Sequence, residues 1–417
     1  MKSNLIAIAT AGVFIAVGCS SSGDDVASTG QFSETEARAK TGAPAETEAP
    51  AETEAPAETE APVETEAPAE TDGPDEEKGY DFAAIGPIVG DFVETRDLNG
   101  AGLIIVDADD GVVHEDYWGE FSAERISLIA SSSKMIAAGV LLALQDDGLI
   151  DIDAPVADVT GWDGNPEITT AQLISNSSGL VGLYPNPAYP PYLCQFFTDS
   201  ELEECGAAIF QTRDDDADII SPDSDFRYGG AQWQVAGAVA EFVSGKSWAE
   251  LIDEIYVQPC GLETLGFKNH WAEYGAGYPT DFNSDPSMLT DTENPQIEGG
   301  AYATTGDYAK LLLMHLRGGT CGENQVVSQA ALDTMHADRI AAAYDGSAGA
   351  STGYGMGWWV DRETGRISDG GAYGSVPWLD LADGYGAYLV IEADSSRGGE
   401  LAGLLENVVD DAMNPGS

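Results

Sequence analysis

The stretch IASSSKMIAAG, residues 129–139, sets three serines ahead of Lys134 and an apolar run. Ser131 and Lys134 stand three residues apart, so a helix brings both side chains to one face, within reach of each other. Ser132 and Ser133 lack that spacing. A serine hydroxyl attacks a carbonyl only when a base takes its proton. Lysine is such a base when burial and neighbours lower its pKa, and the following MIAAGVLLAL would supply burial. A helix start also offers backbone N–H groups to developing negative charge. The spacing alone is weak evidence. Its plain alternative is a polar helix start with Lys134 in a surface ion pair. A second serine, Ser351 in GASTG at 349–353, fits Gly-x-Ser-x-Gly. That pattern needs a strand–turn–helix setting and a later histidine. The last histidine, His336, precedes it and the texture reads as loop, so Ser351 is set aside. The histidines and cysteines show no ligand spacing, so neither metal nor other cofactor is expected. Asp214, Asp215 and Asp216 read as solvated charge rather than a calcium loop.

The elements that must position these residues begin near Tyr80. DFAAIGPIVGDFVETRDL reads as an opening helix. Two apolar runs around Asp109-Asp110-Gly111 read as a hairpin. Residues 131–148 read as a long helix ending at Gly148. Helical stretches such as QWQVAGAVAEFVSG and GDYAKLLLMHLRGG follow, between Gly/Pro/Asn-rich loops. From Gly353, GYGMGWWVD and GSVPWLDLADGYGAYLVIEA read as strands, and ELAGLLENVVDDAM as a closing helix. Strands at both ends and helices between them predict an α+β domain. Its antiparallel sheet is built from both ends and flanked by helices, with a mostly helical subdomain inserted.

The order of further segments adds to this. ISLIASSSKMIAAGVLLALQDDGLIDIDAPV resembles the nucleophile helix of the serine β-lactamase-like family: class C β-lactamases, DD-peptidases and related esterases. ITTAQLISNSSGL, FRYGGAQWQVAGAVAE, EGGAYATTGDYAKLLLMHLRGG and SDGGAYGSVPWLD continue the resemblance in the family's order, over roughly residues 80–415. It implies the β-lactamase/DD-peptidase fold, Ser131 as the acylated serine and Lys134 as its lysine. Tyr228 falls on the tyrosine of a Tyr-x-Asn motif, where a neighbouring cation would ease its ionisation for work as general base. Asp369-Gly370-Gly371 falls where the family has Lys-Thr-Gly or His-x-Gly, on a strand lining the site. The backbone N–H groups of Ser131 and Ala372 would then form an oxyanion hole, and Gly370 and Gly371 suit close approach to substrate.

Three positions depart from the pattern. Gly230 replaces the asparagine of the Tyr motif and removes an amide that would bind substrate. Asn176 replaces a histidine before Ser177-Ser178-Gly179, a change read as structural. Asp369 replaces the cation that holds the carboxylate of penicillins and D-Ala-D-Ala peptides, and would repel it. Arg366 or Arg397 could compensate. The expected activity is therefore that of an esterase or amidase on small neutral or cationic substrates. A β-lactamase or DD-carboxypeptidase is the second reading, and a non-catalytic envelope protein the third.

The ends and the charge complete the picture. Residues 1–18 read as a lipoprotein-type signal peptide, with Cys19 as the lipidated residue. Residues 19–79, with the ETEAPA repeat over 44–71, read as an extended acidic tether. Residues 80–417 form the hydrolase domain. The expected location is the outer face of the cell envelope, with the membrane met through the lipid only, and the domain monomeric. Export implies disulfides. The four cysteines after Cys19 allow three pairings. Cys194–Cys205 is expected because it closes a short loop, leaving Cys260–Cys321. The net charge of −55, from 72 acidic and 17 basic residues, excludes nucleic acid as a charge-driven partner. So acidic a chain suits a saline setting that screens self-repulsion, with melting temperature rising with salt as the expected signature.

Overall fold

The computed structural model describes residues 79–183, 189–212, 218–275, 277–340 and 350–414. The leader, Cys19, the repeat, Asp214–Asp216 and Gly349 of GASTG lie outside the described residues. Helix α1 (Ile85–Thr95) leads into strands β1 (Gly100–Asp107) and β2 (Gly111–Gly119). The turn between them forms because the Asp107 carboxylate accepts from the N–H groups of Asp109 (2.9 Å) and Asp110 (3.1 Å). Gly111 then takes a φ of 82°, which side chains disfavour. The other strands of the main sheet come from the far end of the chain: β3 (Thr352–Tyr354), β4 (Trp359–Asp361), β5 (Ile367–Ser368), β6 (Ser375–Asp380) and β7 (Tyr385–Val390). They join in one seven-stranded antiparallel sheet of order β2-β1-β7-β6-β5-β4-β3. The first and last parts of the domain thus meet at the β1–β7 pair, with Leu103 opposite Leu389.

All eight residues of β1 are buried, because both faces of the sheet are covered. Side chains alternate across a strand. Leu103 and Ile105 pack with Ile85, Val89, Leu401 and Leu405, from α1 and the closing helix α5 (Ser395–Met413). Ile104 and Val106 face the other core, with residues of α2 (Lys134–Asp146), α3 (Gly230–Ser244) and α4 (Thr305–Leu316). These three helices belong to the inserted helical region between β2 and β3. The disulfide Cys194–Cys205 ties a 3-10 turn, Pro190–Phe196, to helix Leu202–Phe210. Cys260–Cys321 closes a separation of 61 residues.

Two details differ from the sequence reading. Ser131 lies on a 3-10 turn, Ala130–Ser133, and the α-helix begins at Lys134. A tighter turn eclipses positions i and i+3, so the Ser131–Lys134 spacing still brings the side chains together. The short strand Ile367–Ser368 sits between Trp359–Asp361 and Ser375–Asp380. Its two residues are too few to show a period-two pattern.

Candidate active site

At Ala130 the backbone passes through a left-handed conformation, φ 46°, uncommon for a residue with a side chain. The next residue, Ser131, is partly exposed, while Ser132, Ser133 and Lys134 are buried. Each buried serine has a structural partner. Ser132 Oγ donates to the Asp369 carbonyl at 2.6 Å. Ser133 Oγ donates to the Ala130 carbonyl at 2.6 Å and accepts from the Ala301 N–H at 3.0 Å. Only Ser131 is left facing outward among the three.

Lys134 Nζ donates to Ser131 Oγ at 3.0 Å and to the Glu298 carbonyl at 3.0 Å. It also lies 3.3 Å from a Glu298 carboxylate oxygen and 4.6 Å from the centre of the Tyr228 ring. Burial would strip its proton, but charge at Tyr228, Glu298 and Asp369 acts the other way and raises its pKa. With the Tyr228 and Asp369 protons in place, the Glu298 carboxylate at 3.3 Å is the charge that holds the ammonium. This corrects the expectation of a lysine whose pKa is lowered by burial: Lys134 rests as an ammonium. Tyr228 stacks on Trp359, with ring centres 5.4 Å apart. Burial raises its pKa, and the Lys134 cation offsets only part of the rise. The phenol therefore also rests protonated.

Asn176 organises the Tyr228 turn. It is fully buried and left-handed, φ 58°. Its Oδ1 accepts from Gln232 Nε2 (2.8 Å), Trp233 Nε1 (3.1 Å) and the Gly229 N–H (3.4 Å). The substitution read as structural has this scaffold at its centre.

Asp369 is placed differently from its expected substrate-facing position. It is fully buried, with its carboxyl group toward the backbone N–H groups of Met135 and Lys134 at the start of α2 and toward the Lys134 cation. Desolvation dominates and pushes its pKa well up. A carboxyl group set inward under a helix start does not meet an incoming substrate. Gly370 is exposed. A side chain at Gly371 would lie 2.1 Å from the Ile129 carbonyl, so glycine allows this loop to press on the Ser131 turn. Ala372, next in the chain, packs in the same apolar cluster as Ala130 and is partly exposed. Ser131 and Ala372 are thus carried by abutting segments. Arg366 pairs with Asp410 at 2.6 Å and Asp380 at 3.5 Å, and Arg397 with Asp394 at 3.6 Å. Both guanidiniums are engaged away from Lys134.

Glu298 is the residue that sequence reasoning missed. A Cβ built at Gly230 would lie 2.0 Å from Glu298 Oε1. The Glu298 carboxylate therefore fills the space into which a side chain at position 230 would grow. The available signal was the missing side chain itself, since a glycine where the motif has asparagine leaves a volume to be filled. Ser351 stands exposed in a bend that enters Thr352–Tyr354, a loop-to-strand setting without a following helix. His315 and His336 contact each other at 2.9 Å in the interior. Among the described residues, no group of three or more His, Cys, Asp or Glu side chains could hold a metal ion.

An outward serine backed by a buried lysine and a partly buried tyrosine, beside a sheet formed from both ends of the domain, is the arrangement of an acyl-transferring serine hydrolase. The Beta-lactamase family model matches residues 88–407, and the chain belongs to that family of serine hydrolases. It is 26% identical over 329 residues to Penicillin-binding protein 4 of Amycolatopsis lactamdurans, covering 72% of this chain and 81% of that one. Two solved structures share the fold. EstCE1, described as a hydrolase with promiscuous acyltransferase activity, has a TM-score of 0.66 at 18% identity, covering 79% of this chain and 98% of that one. The octameric penicillin-binding protein homologue of Pyrococcus abyssi has a TM-score of 0.60 at 19% identity, covering 79% and 77% respectively.

Proposed function

We propose that this enzyme is an exported, lipid-anchored esterase or amidase that forms an acyl-enzyme on Ser131. The observation that carries the reading is the 3.0 Å contact between Lys134 Nζ and Ser131 Oγ, at a serine that alone of three faces outward. Once one proton has left the Lys134–Tyr228 pair to solvent, Ser131 Oγ attacks a carbonyl carbon and its own proton takes the vacated place in the pair. The N–H groups of Ser131 and Ala372 receive the oxyanion. Collapse expels the alcohol or amine, which takes a proton from the pair, and water then releases the acid. Gly370, exposed and without a side chain, leaves the approach open. Neutral or cationic substrates fit best, because the Glu298 carboxylate faces Lys134 and both Arg366 and Arg397 are engaged elsewhere. The strongly acidic surface adds to that preference.

A second reading, action on β-lactams or cell-wall peptides, draws on the likeness to a penicillin-binding protein. The experiment compares a fluorophosphonate, a fluorescent penicillin and a short-chain aryl ester on wild type and Ser131→Ala. Ester turnover and fluorophosphonate labelling that vanish in the variant, without penicillin labelling, are expected. Ser131-dependent penicillin labelling would establish the second reading. Behaviour independent of Ser131 throughout would leave a fold kept without catalysis.

For location, we propose a signal peptide over residues 1–18, lipid on Cys19 and a tether over 19–79. The two disulfides support an oxidising compartment. The domain would act there as a monomer, without cofactor.

A further inference from the structure

The site holds a carboxylate that nothing in its Ser-x-x-Lys and Tyr segments accounts for. Glu298 reaches Lys134 twice, through its backbone carbonyl at 3.0 Å and its side chain at 3.3 Å. Its side chain is 12% exposed, so the carboxylate is nearly dry, where ion pairing is strong. It occupies the volume that any side chain at position 230 would need: its Oε1 lies 2.0 Å and its Cδ 2.5 Å from a Cβ built there. The turn that carries it is fixed to the Ser131 turn. The Gly300 N–H donates to the Gln296 carbonyl at 2.7 Å, and the Ile129 N–H donates to the Ala301 carbonyl at 3.1 Å. Gly299 packs on Ala130.

We propose that Gly230 and Glu298 are an exchanged pair: the lost asparagine side chain makes room for a carboxylate from another segment, and Glu298 is the positioning residue that clamps Lys134 against Ser131. The inference rests on Ser131 being the nucleophile. An amide at position 230 would accept from the ammonium without adding charge of its own. The carboxylate adds an ion pair to that bond, and in a nearly dry site the pairing is strong. It also faces Lys134 together with Tyr228 and Asp369, so its removal makes the ammonium easier to deprotonate. Loss of Glu298 should therefore do two separable things. It should loosen the geometry and lower the limiting rate. It should also move the pH dependence of Ser131 reactivity to lower pH, which a merely structural residue would not do.

The test is the second-order rate of fluorophosphonate labelling of Ser131 against pH. It is run in wild type, Glu298→Gln, Glu298→Ala and Gly230→Asn/Glu298→Ala, with a melting curve for each. Glu298→Gln, nearly isosteric, is expected to keep the wild-type melting temperature. Its limiting rate should fall about tenfold, and its rise should level off about one pH unit or more earlier than in wild type. The two changes offset each other along the rise, so the pH of levelling is what is read. The double variant should recover part of the rate that Glu298→Ala loses, without restoring the wild-type pH curve. A Glu298→Gln curve that levels off no earlier than wild type overturns the proposal, whether or not its rate falls. Labelling that persists in Ser131→Ala would instead defeat the reading of the nucleophile, whatever Glu298 does.

Discussion

The Ser131 hydroxyl, the Lys134 ammonium and the Tyr228 phenol all hold their protons at neutral pH. The pKa of Lys134 is raised by the surrounding negative groups and that of Tyr228 by burial. A base able to receive the serine proton forms when one proton leaves the Lys134–Tyr228 pair. Because both pKa values lie above their ordinary positions, that form is scarce at pH 7 and grows as pH rises. Labelling of Ser131 by a fluorophosphonate is therefore expected to climb by about tenfold per pH unit between roughly pH 7 and 10. A plateau reached below pH 8 would mean that another group is the base. At this scale the sequence was informative where chemistry fixes spacing: Ser131, Lys134 and Tyr228 stand in recognisable segments in a recognisable order. It misled at Asp369, because a motif position names a residue and not the direction of its side chain. It was silent at Glu298, because a glycine at 230 says that room exists and not what fills it.

Among the elements, the start of α3 (Gly230–Ser244) is tied to Asn176 through three donors onto one oxygen. Replacing it with alanine strands buried donors and puts a Cβ residue without a local hydrogen bond at positive φ. Asn176→Ala should cost about 2–3 kcal/mol in urea unfolding and lower Ser131 labelling as the Tyr228 turn loosens. Asn176→Asp keeps the acceptor and should lose much less. Equal losses in the two variants would show that the oxygen is not what matters. Long periodic stretches announced α1, α3, α4 and α5, and the Asp109-Asp110-Gly111 turn announced the first hairpin. The 3-10 turn under Ser131 did not announce itself. Its conformation comes from contacts with Ala301 and Ser375, which are distant in sequence.

For the whole molecule, the α+β division was readable because strands and helices occupy separate stretches of the chain. The proposed anchorage predicts that Cys19→Ser moves the protein from the membrane fraction to the soluble one, with Ser131 labelling unchanged. An unchanged distribution would remove the lipid from the account. The pairing of β1 with β7 has a consequence for how the chain is made. Residues 100–107 wait for 385–390 before the centre of the sheet can close. At about 5–20 residues per second of synthesis, that wait is on the order of fifteen seconds to a minute. Throughout it, the hairpin of β1 and β2 presents an unpaired edge, and the nucleophile turn lacks the strand segment that presses against it. A polypeptide crossing a membrane as an extended thread meets no penalty from that delay. One that tried to fold as it emerged from the ribosome would carry an unfinished, inactive sheet until its last fifty residues were added.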